Sequence, residues 1–161
     1  MQLKSFLKHP KVKSIEVDVH DIQTNPEKLL HNILQSVYEI QSKDMTPVVY
    51  TSRKELRAEN RAEKLLIGKM ISTFIVNFVK SIPYIPSYIV TKGGITSHDI
   101  LKNGLNIKYA RVKGQLIEGV PVIMTGDKNR FPNMPFIIFP GNVGTVYSLN
   151  EVFRKLDLAN E

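Results

Sequence analysis

A chain of 161 residues without cysteine has the length of one ordinary domain and cannot form disulfides, thiolate metal sites or cysteine nucleophiles. Lys and Arg outnumber Asp and Glu by 22 to 15, and the resulting net charge of +7 favours anionic partners. The basic residues are dispersed, aromatics are not interleaved with them and Trp is absent, so a stacking platform for nucleic acid is not indicated.

Residues 2–8 read as a short lead-in helix stopped by Pro10. Residues 14–19 alternate polar and apolar side chains and predict a strand with one buried face. Asn25, Pro26 and Glu27 then form a helix start, followed by Leu30, Ile33, Leu34 and Val37 at helical spacing. Residues 46–51 (TPVVYT) predict a short buried strand. Residues 59–80 predict a long helix with Leu66, Met70, Phe74 and Phe78 on one row and Ile67, Ile71, Ile75 and Val79 on the next, a stripe broad enough to require good cover.

Pro83 and Pro86 end that helix, and residues 88–91 begin a strand feeding the turn Lys92 Gly93 Gly94 Ile95 Thr96 Ser97. Residues 99–103 continue as a short helix closed by Gly104, and residues 107–112 resume as a strand. A connection at residues 113–119 carries two glycines. Residues 121–125 and 135–139 are apolar runs, the second of which feeds Pro140 Gly141 Asn142 Val143 Gly144, and residues 149–156 form a closing helix. Alternating strands and helices predict a single α/β domain, a three-layer sandwich around a largely parallel sheet, with ligands at the carboxyl ends of its strands.

Both glycine turns join a strand to a helix. Glycine admits positive φ and removes the side chain that would keep backbone amides away from a ligand, so such turns suit phosphates. Thr96 or Ser97 is placed to cap one helix and Ser148 or Asn150 the other. A tight connection that needs positive φ is the plainer reading of either turn alone. Asn142, between Gly141 and Gly144, has a side-chain amide suited to a base or ribose. The patterns GxxxxGK[ST] and GxGxxG are missing, so a nucleotide site here is of another kind.

His9, His20, His31 and His98 have no metal-ligand spacing, and no protein-built metal site is expected. Asp99 reads as dipole complementarity in a first helical turn, with magnesium held by phosphates as the rarer alternative, and Arg53 is a minor phosphate candidate. No apolar stretch approaches the ~20 residues needed to cross a bilayer. Lys4, Lys8, Lys11 and Lys13 break up any signal-peptide core, so a soluble cytoplasmic protein is expected.

KGGITS, GQLIEGVPV, the FP of RFPNMPF and FPGNVG, in this order, resemble the C-terminal nucleotide-binding domain of the four-carbon acid sugar kinase family. HPKVKSIEVDV and PVVYTSR extend the similarity over nearly the whole chain. The resemblance implies ATP binding with Mg2+ by the C-terminal half of a two-domain kinase acting on acids such as threonate and erythronate. An N-terminal domain would bind the acid. The family's GGxTS loop falls on Gly93, Gly94, Ile95, Thr96 and Ser97, and its glycine–asparagine loop on Gly141, Asn142 and Gly144. Many members have Glu at the place of Ile95 and KSGNFG in place of FPGNVG, which leaves the acid open. The resemblance matches no residue here to the family's upstream ATP-contacting serine, and it assigns no catalytic residue. A stand-alone nucleotide-binding or sensing module is the alternative, and a homodimer is an open expectation.

Overall fold

The computed structural model describes residues 1–52 and 60–158, so Arg53 and Glu59 lie outside the described residues. Its architecture is α/β, as expected. The chain separates into two compact units, Leu7–Ser81 and a second made of Met1–Phe6 with Ile82–Glu161. Each has its own sheet.

In the Leu7–Ser81 unit, β1 (Val12–Val17) and β2 (Thr46–Thr51) pair in parallel, from Val12 opposite Thr46 to Val17 opposite Thr51. A parallel pair needs a long connection, here α2 (Val19–Thr24) and α3 (Pro26–Gln41). The sequence reading runs the first strand through Val19, but Asp18 ends it by accepting the His20 N–H at 2.9 Å and so caps α2. Pro26 opens α3 as expected, although Asn25 makes no side-chain cap bond, and Ile33 and Val37 are buried.

The unit ends with α4 (Arg61–Ser81). Only its second half is covered: Phe74, Val76 and Val79 are buried, whereas Leu65 and Leu66 are 67% and 66% exposed. The helices it packs against are α2 and α3. A helix of 21 residues is ~31 Å long, whereas α2, of 6 residues, is only ~9 Å long.

The other unit contains α1 (Gln2–Phe6), β3 (Ile89–Lys92), α5 (Gly94–Asp99), β4 (Val112–Ile117), β5 (Val120–Met124), β6 (Pro135–Phe139) and α6 (Ser148–Leu158). The strand order is β3-β6-β5-β4, with β3–β6 parallel and both β6–β5 and β5–β4 antiparallel. The described strands therefore form two sheets with equal numbers of parallel and antiparallel pairs, where the sequence suggests one largely parallel sheet. A two-residue turn at Glu118 and Gly119 separates β4 from β5, too short for a parallel crossover.

That turn also moves the strand expected at residues 107–112 to Val112–Ile117. Ile117 opposite Val120 sets the register, and Gly114, at φ 151°, absorbs a shift in it. After α5 the backbone widens into a π-helical turn, Ile100–Gly104. Gly104 lies inside this turn, and Asn106, at φ 52°, supplies the left-handed residue expected at Gly104.

Phe136, Ile137 and Phe139 of β6 form the centre of the core with Val120 and Ile123 of β5. Leu149, Val152, Phe153 and Leu156 give α6 a buried face at helical spacing. The ring of Phe153 meets that of Phe6 in α1, with centroids 5.5 Å apart.

Candidate functional site

The last pair in the β3–β6 ladder is Lys92 opposite Phe139. Because these strands are parallel neighbours, the two glycine turns leave the sheet side by side, and the Gly93 N–H donates to the Phe139 carbonyl at 2.8 Å. β5 runs antiparallel to β6, so it starts at that same edge and brings the Glu118–Gly119 turn with it. Three loops thus line one edge of the sheet.

In the first loop, Gly93 precedes α5 with φ 107° and ψ 133°, a conformation strained for any residue with a side chain. Gly94 opens α5 without positive φ, and a methyl group added there meets nothing within 4 Å. Ile95 is 81% exposed and Thr96 half-buried. Ser97 is buried, and its Oγ donates to the Gly93 carbonyl at 2.7 Å and shares a hydrogen bond of 2.8 Å with Thr91 Oγ1. Thr96 and Ser97 therefore lie within α5 and do not cap it; Ser97 braces the turn from inside. Asp99 ends α5 instead of occupying its first turn.

In the second loop, Gly141 and Asn142 are exposed. Gly144 has φ 82°, and a Cβ on it would stand 2.6 Å from the Ser148 Cβ, so this backbone admits no side chain. The entry to α6 is capped reciprocally: Thr145 Oγ1 accepts the Tyr147 N–H at 3.3 Å and Ser148 Oγ accepts the Thr145 N–H at 2.8 Å. The capping residue is thus Thr145, and Asn150 donates to Ser5 Oγ at 3.3 Å instead. Gln2 of α1 donates its side-chain amide to the Val143 and Thr145 carbonyls, both at 2.9 Å.

Lys92 connects the two loops. Its Nζ stands 4.5 Å from the centroid of the Phe139 ring and 3.3 and 3.5 Å from the carbonyl oxygens of Pro140 and Gly141. Partial burial holds its pKa below the ordinary lysine value. Sequence reasoning quotes Lys92 within the first motif without giving it a role, because the Phe139 opposite it is known only from the strand register.

Beyond Gly144 opens a cleft of about 650 Å3, walled by Ile117, Glu118 and Gly119 on one side and by Val143 and the first turns of α6 on the other. Lys155 of α6 donates to the Leu116 carbonyl at 2.6 Å and lies 3.6 Å from a Glu151 carboxylate oxygen. Of the residues expected to bind nucleotide, Gly144 lines this cleft, while Gly93 to Ser97, Gly141 and Asn142 lie outside its lining. Among the described residues, no three His, Cys, Asp or Glu side chains form a metal-binding group, and no helix is long and apolar enough to cross a membrane.

Comparison with known proteins places these loops in a family. Residues 1–149 match the model of the nucleotide-binding C-terminal domain. No curated protein matches the chain. A solved Haemophilus influenzae protein of the DUF1537 family has 17% identity and a TM-score of 0.72, with 98% of this chain and 37% of that one covered. A Bordetella bronchiseptica DUF1537 domain, a domain-swapped dimer with bound citrate, has 12% identity and a TM-score of 0.66, with coverages of 96% and 37%. A Salmonella typhimurium LT2 protein with a provisional tRNA synthase name has 14% identity and a TM-score of 0.70, again with 96% and 37% covered. The chain therefore spans little more than a third of the length of these similar structures. It belongs to the nucleotide-binding C-terminal domain family, as its resemblance to the four-carbon acid sugar kinases leads one to expect.

Proposed function

We propose that this chain is the ATP-binding domain of an enzyme that phosphorylates a four-carbon sugar acid of the threonate or erythronate kind, with the acid held by a separate N-terminal domain. The observation that carries this reading is the placement of both glycine turns at the ends of adjacent parallel strands, joined by the Gly93–Phe139 hydrogen bond. Gly93 and Gly94 offer backbone that a phosphate can approach closely, and the Lys92 ammonium supplies positive charge between the turns. Asn142, exposed in the second turn, has an amide for the ribose or base.

Phosphoryl transfer asks the protein chiefly for positioning and charge stabilisation. This domain would hold the donor, and the groups that bind the acid and accept its hydroxyl proton belong to the other domain. Mg2+ fits as an ion carried by the phosphates, since it commonly takes only one or two carboxylates from protein. Calorimetric titration of the folded chain with ATP in millimolar magnesium tests the reading. Heat of binding together with a raised melting temperature supports it, and neither signal from a demonstrably folded protein refutes it.

A further inference from the structure

We propose that Gln2 of α1 is a positioning residue for nucleotide binding, which it serves by holding the second glycine loop in the shape that turns the Gly144 and Val146 N–H groups outward. The inference rests on the nucleotide reading above and adds a residue that lies in neither glycine motif, 141 positions before the Val143 it holds.

The contact is a fork. Both hydrogens of the Gln2 side-chain amide are used, one on the Val143 carbonyl and one on the Thr145 carbonyl, each at 2.9 Å. Gly144 lies between the two acceptors with φ 82°, and a Cβ there would stand 3.5 Å from Gln2 Nε2. The fork is itself held in place. α1 is fastened to α6 by the contact of the Phe6 and Phe153 rings and by the hydrogen bond from Asn150 to Ser5 Oγ at 3.3 Å, neither of which touches the loop. Of these side chains, Gln2 carries the placement of α1 into the loop.

Peptide planarity transmits that hold to the other side of the backbone. No described peptide bond is cis, and in a trans unit the C=O and N–H point in opposite directions. With the Val143 and Thr145 carbonyls turned toward Gln2, the N–H groups of Gly144 and Val146, which belong to the same two peptide units, are turned away from it. Both residues are exposed, and neither N–H has an acceptor among the described residues, whereas Thr145 and Tyr147 donate theirs within the cap of α6. Backbone N–H groups gathered in a turn suit an anionic oxygen. Glycine admits both signs of φ at similar cost, so the unit joining Val143 to Gly144 needs an outside contact to keep it from turning over. In the first turn Ser97 holds the Gly93 carbonyl from within α5, and Gln2 is its counterpart for the second.

The test uses the 161-residue chain, isotope-labelled for amide spectra, and three variants. Gln2→Met keeps the length and helix preference of the side chain and removes both donors, and Gln2→Glu keeps its shape and sets a carboxylate against the two carbonyls. Ser5→Ala, the control, removes the bond to Asn150 without touching the loop. Each protein is titrated with magnesium ATP by calorimetry at a temperature where its melt shows it folded. Both Gln2 variants should bind ATP about tenfold more weakly, the scale of losing two hydrogen bonds. Their Gly144 and Val146 amide signals should be displaced and those of Gly93 and Gly94 unmoved, and Ser5→Ala should bind as the unsubstituted chain does. A merely structural role would lower the melting temperature of the Gln2 variants and leave their ATP affinity unchanged, and that result overturns the inference whether or not the loop signals move. An equal loss in Ser5→Ala also overturns it, since the effect then belongs to the docking of α1 as a whole. If Gln2→Met does not fold, Gln2→Glu decides by the same criteria. Absence of ATP binding by the unsubstituted chain overturns the nucleotide reading, and the role of Gln2 with it.

Discussion

The ammonium of Lys92 lies 4.5 Å from the centre of the Phe139 ring, and the two residues are also register partners at the last pair of the β3–β6 ladder. The strand pairing itself thus holds a cation between the two glycine turns, and the ring beneath it is fully buried. Lys92→Met should keep the fold, with a stability change within about 1 kcal/mol, the scale of an exposed cation–π contact. Nucleotide affinity should fall by about tenfold or more, as expected on losing a charge-assisted phosphate contact. Calorimetry on the variant, with a thermal melt in parallel, checks both. Undiminished ATP affinity would remove Lys92 from the site.

A pH dependence follows from the same side chain. Burial lowers the pKa of Lys92 in the folded protein, so the unfolded chain binds more protons in the interval between that value and the ordinary lysine value of 10.5. The stability contribution of this group therefore rises as pH climbs through that interval. Phosphate affinity moves the other way, because only the protonated amine attracts the anion, and its decline should begin at lower pH than for an unperturbed lysine. Titrations between neutral and alkaline pH, compared with Lys92→Arg, whose guanidinium stays charged, separate this effect from general alkaline unfolding.

The glycines of the second loop should respond oppositely to one added methyl. Gly144→Ala combines positive φ with collision against Ser148, and a destabilisation of about 1–3 kcal/mol or more is expected. Gly141 has no positive φ and nothing within 4 Å of an added Cβ, so Gly141→Ala should change stability by no more than about 0.5 kcal/mol. Adding Ser148→Gly should recover part of the Gly144→Ala loss, a coupling that denaturant unfolding of the double-mutant cycle measures. Additive effects in that cycle would show that the collision with Ser148 contributes nothing.

Without a partner domain, the chain should phosphorylate no four-carbon sugar acid. Holding donor and acceptor in attack geometry can contribute about 7–11 kcal/mol, and a domain that positions only the donor forgoes it. Incubation with ATP, magnesium and a panel of such acids should yield at most slow ATP hydrolysis, and adding an N-terminal domain from a related enzyme should start turnover. Phosphorylated acid formed by the chain alone would place the acceptor site within these residues.

Local sequence signals account for much of this fold. Pro26 and the Ile33–Val37 spacing locate α3, the run from Pro135 to Phe139 coincides with β6, and Leu149, Val152 and Phe153 define the buried face of α6. What escaped depends on contacts between distant segments. Nothing near residues 107–112 favours a strand less than residues 112–117 do, until pairing with Val120 and Ile123 selects the latter. The division into two sheets has the same origin. At the candidate site, Gly93 and Gly144 were legible because positive φ restricts the residue type, a reason that does not extend to Gly94 and Gly141. Lys92 and the Glu118–Gly119 cleft were not, since each gains its setting from a neighbouring strand.

The two hydrogen bonds from Gln2 to the second glycine loop join residues 141 and 143 positions apart in sequence. Contacts of such separation carry a large loop-closure entropy and reward the chain only after most of it has been ordered. The loop at Val143 and Thr145 therefore gains these two bonds only once α1 and the far end of the sheet have been brought together. The β1–β2 pairing, from Val12 opposite Thr46 to Val17 opposite Thr51, closes a much shorter stretch of chain, so ordering it costs less than fastening the second glycine loop to α1.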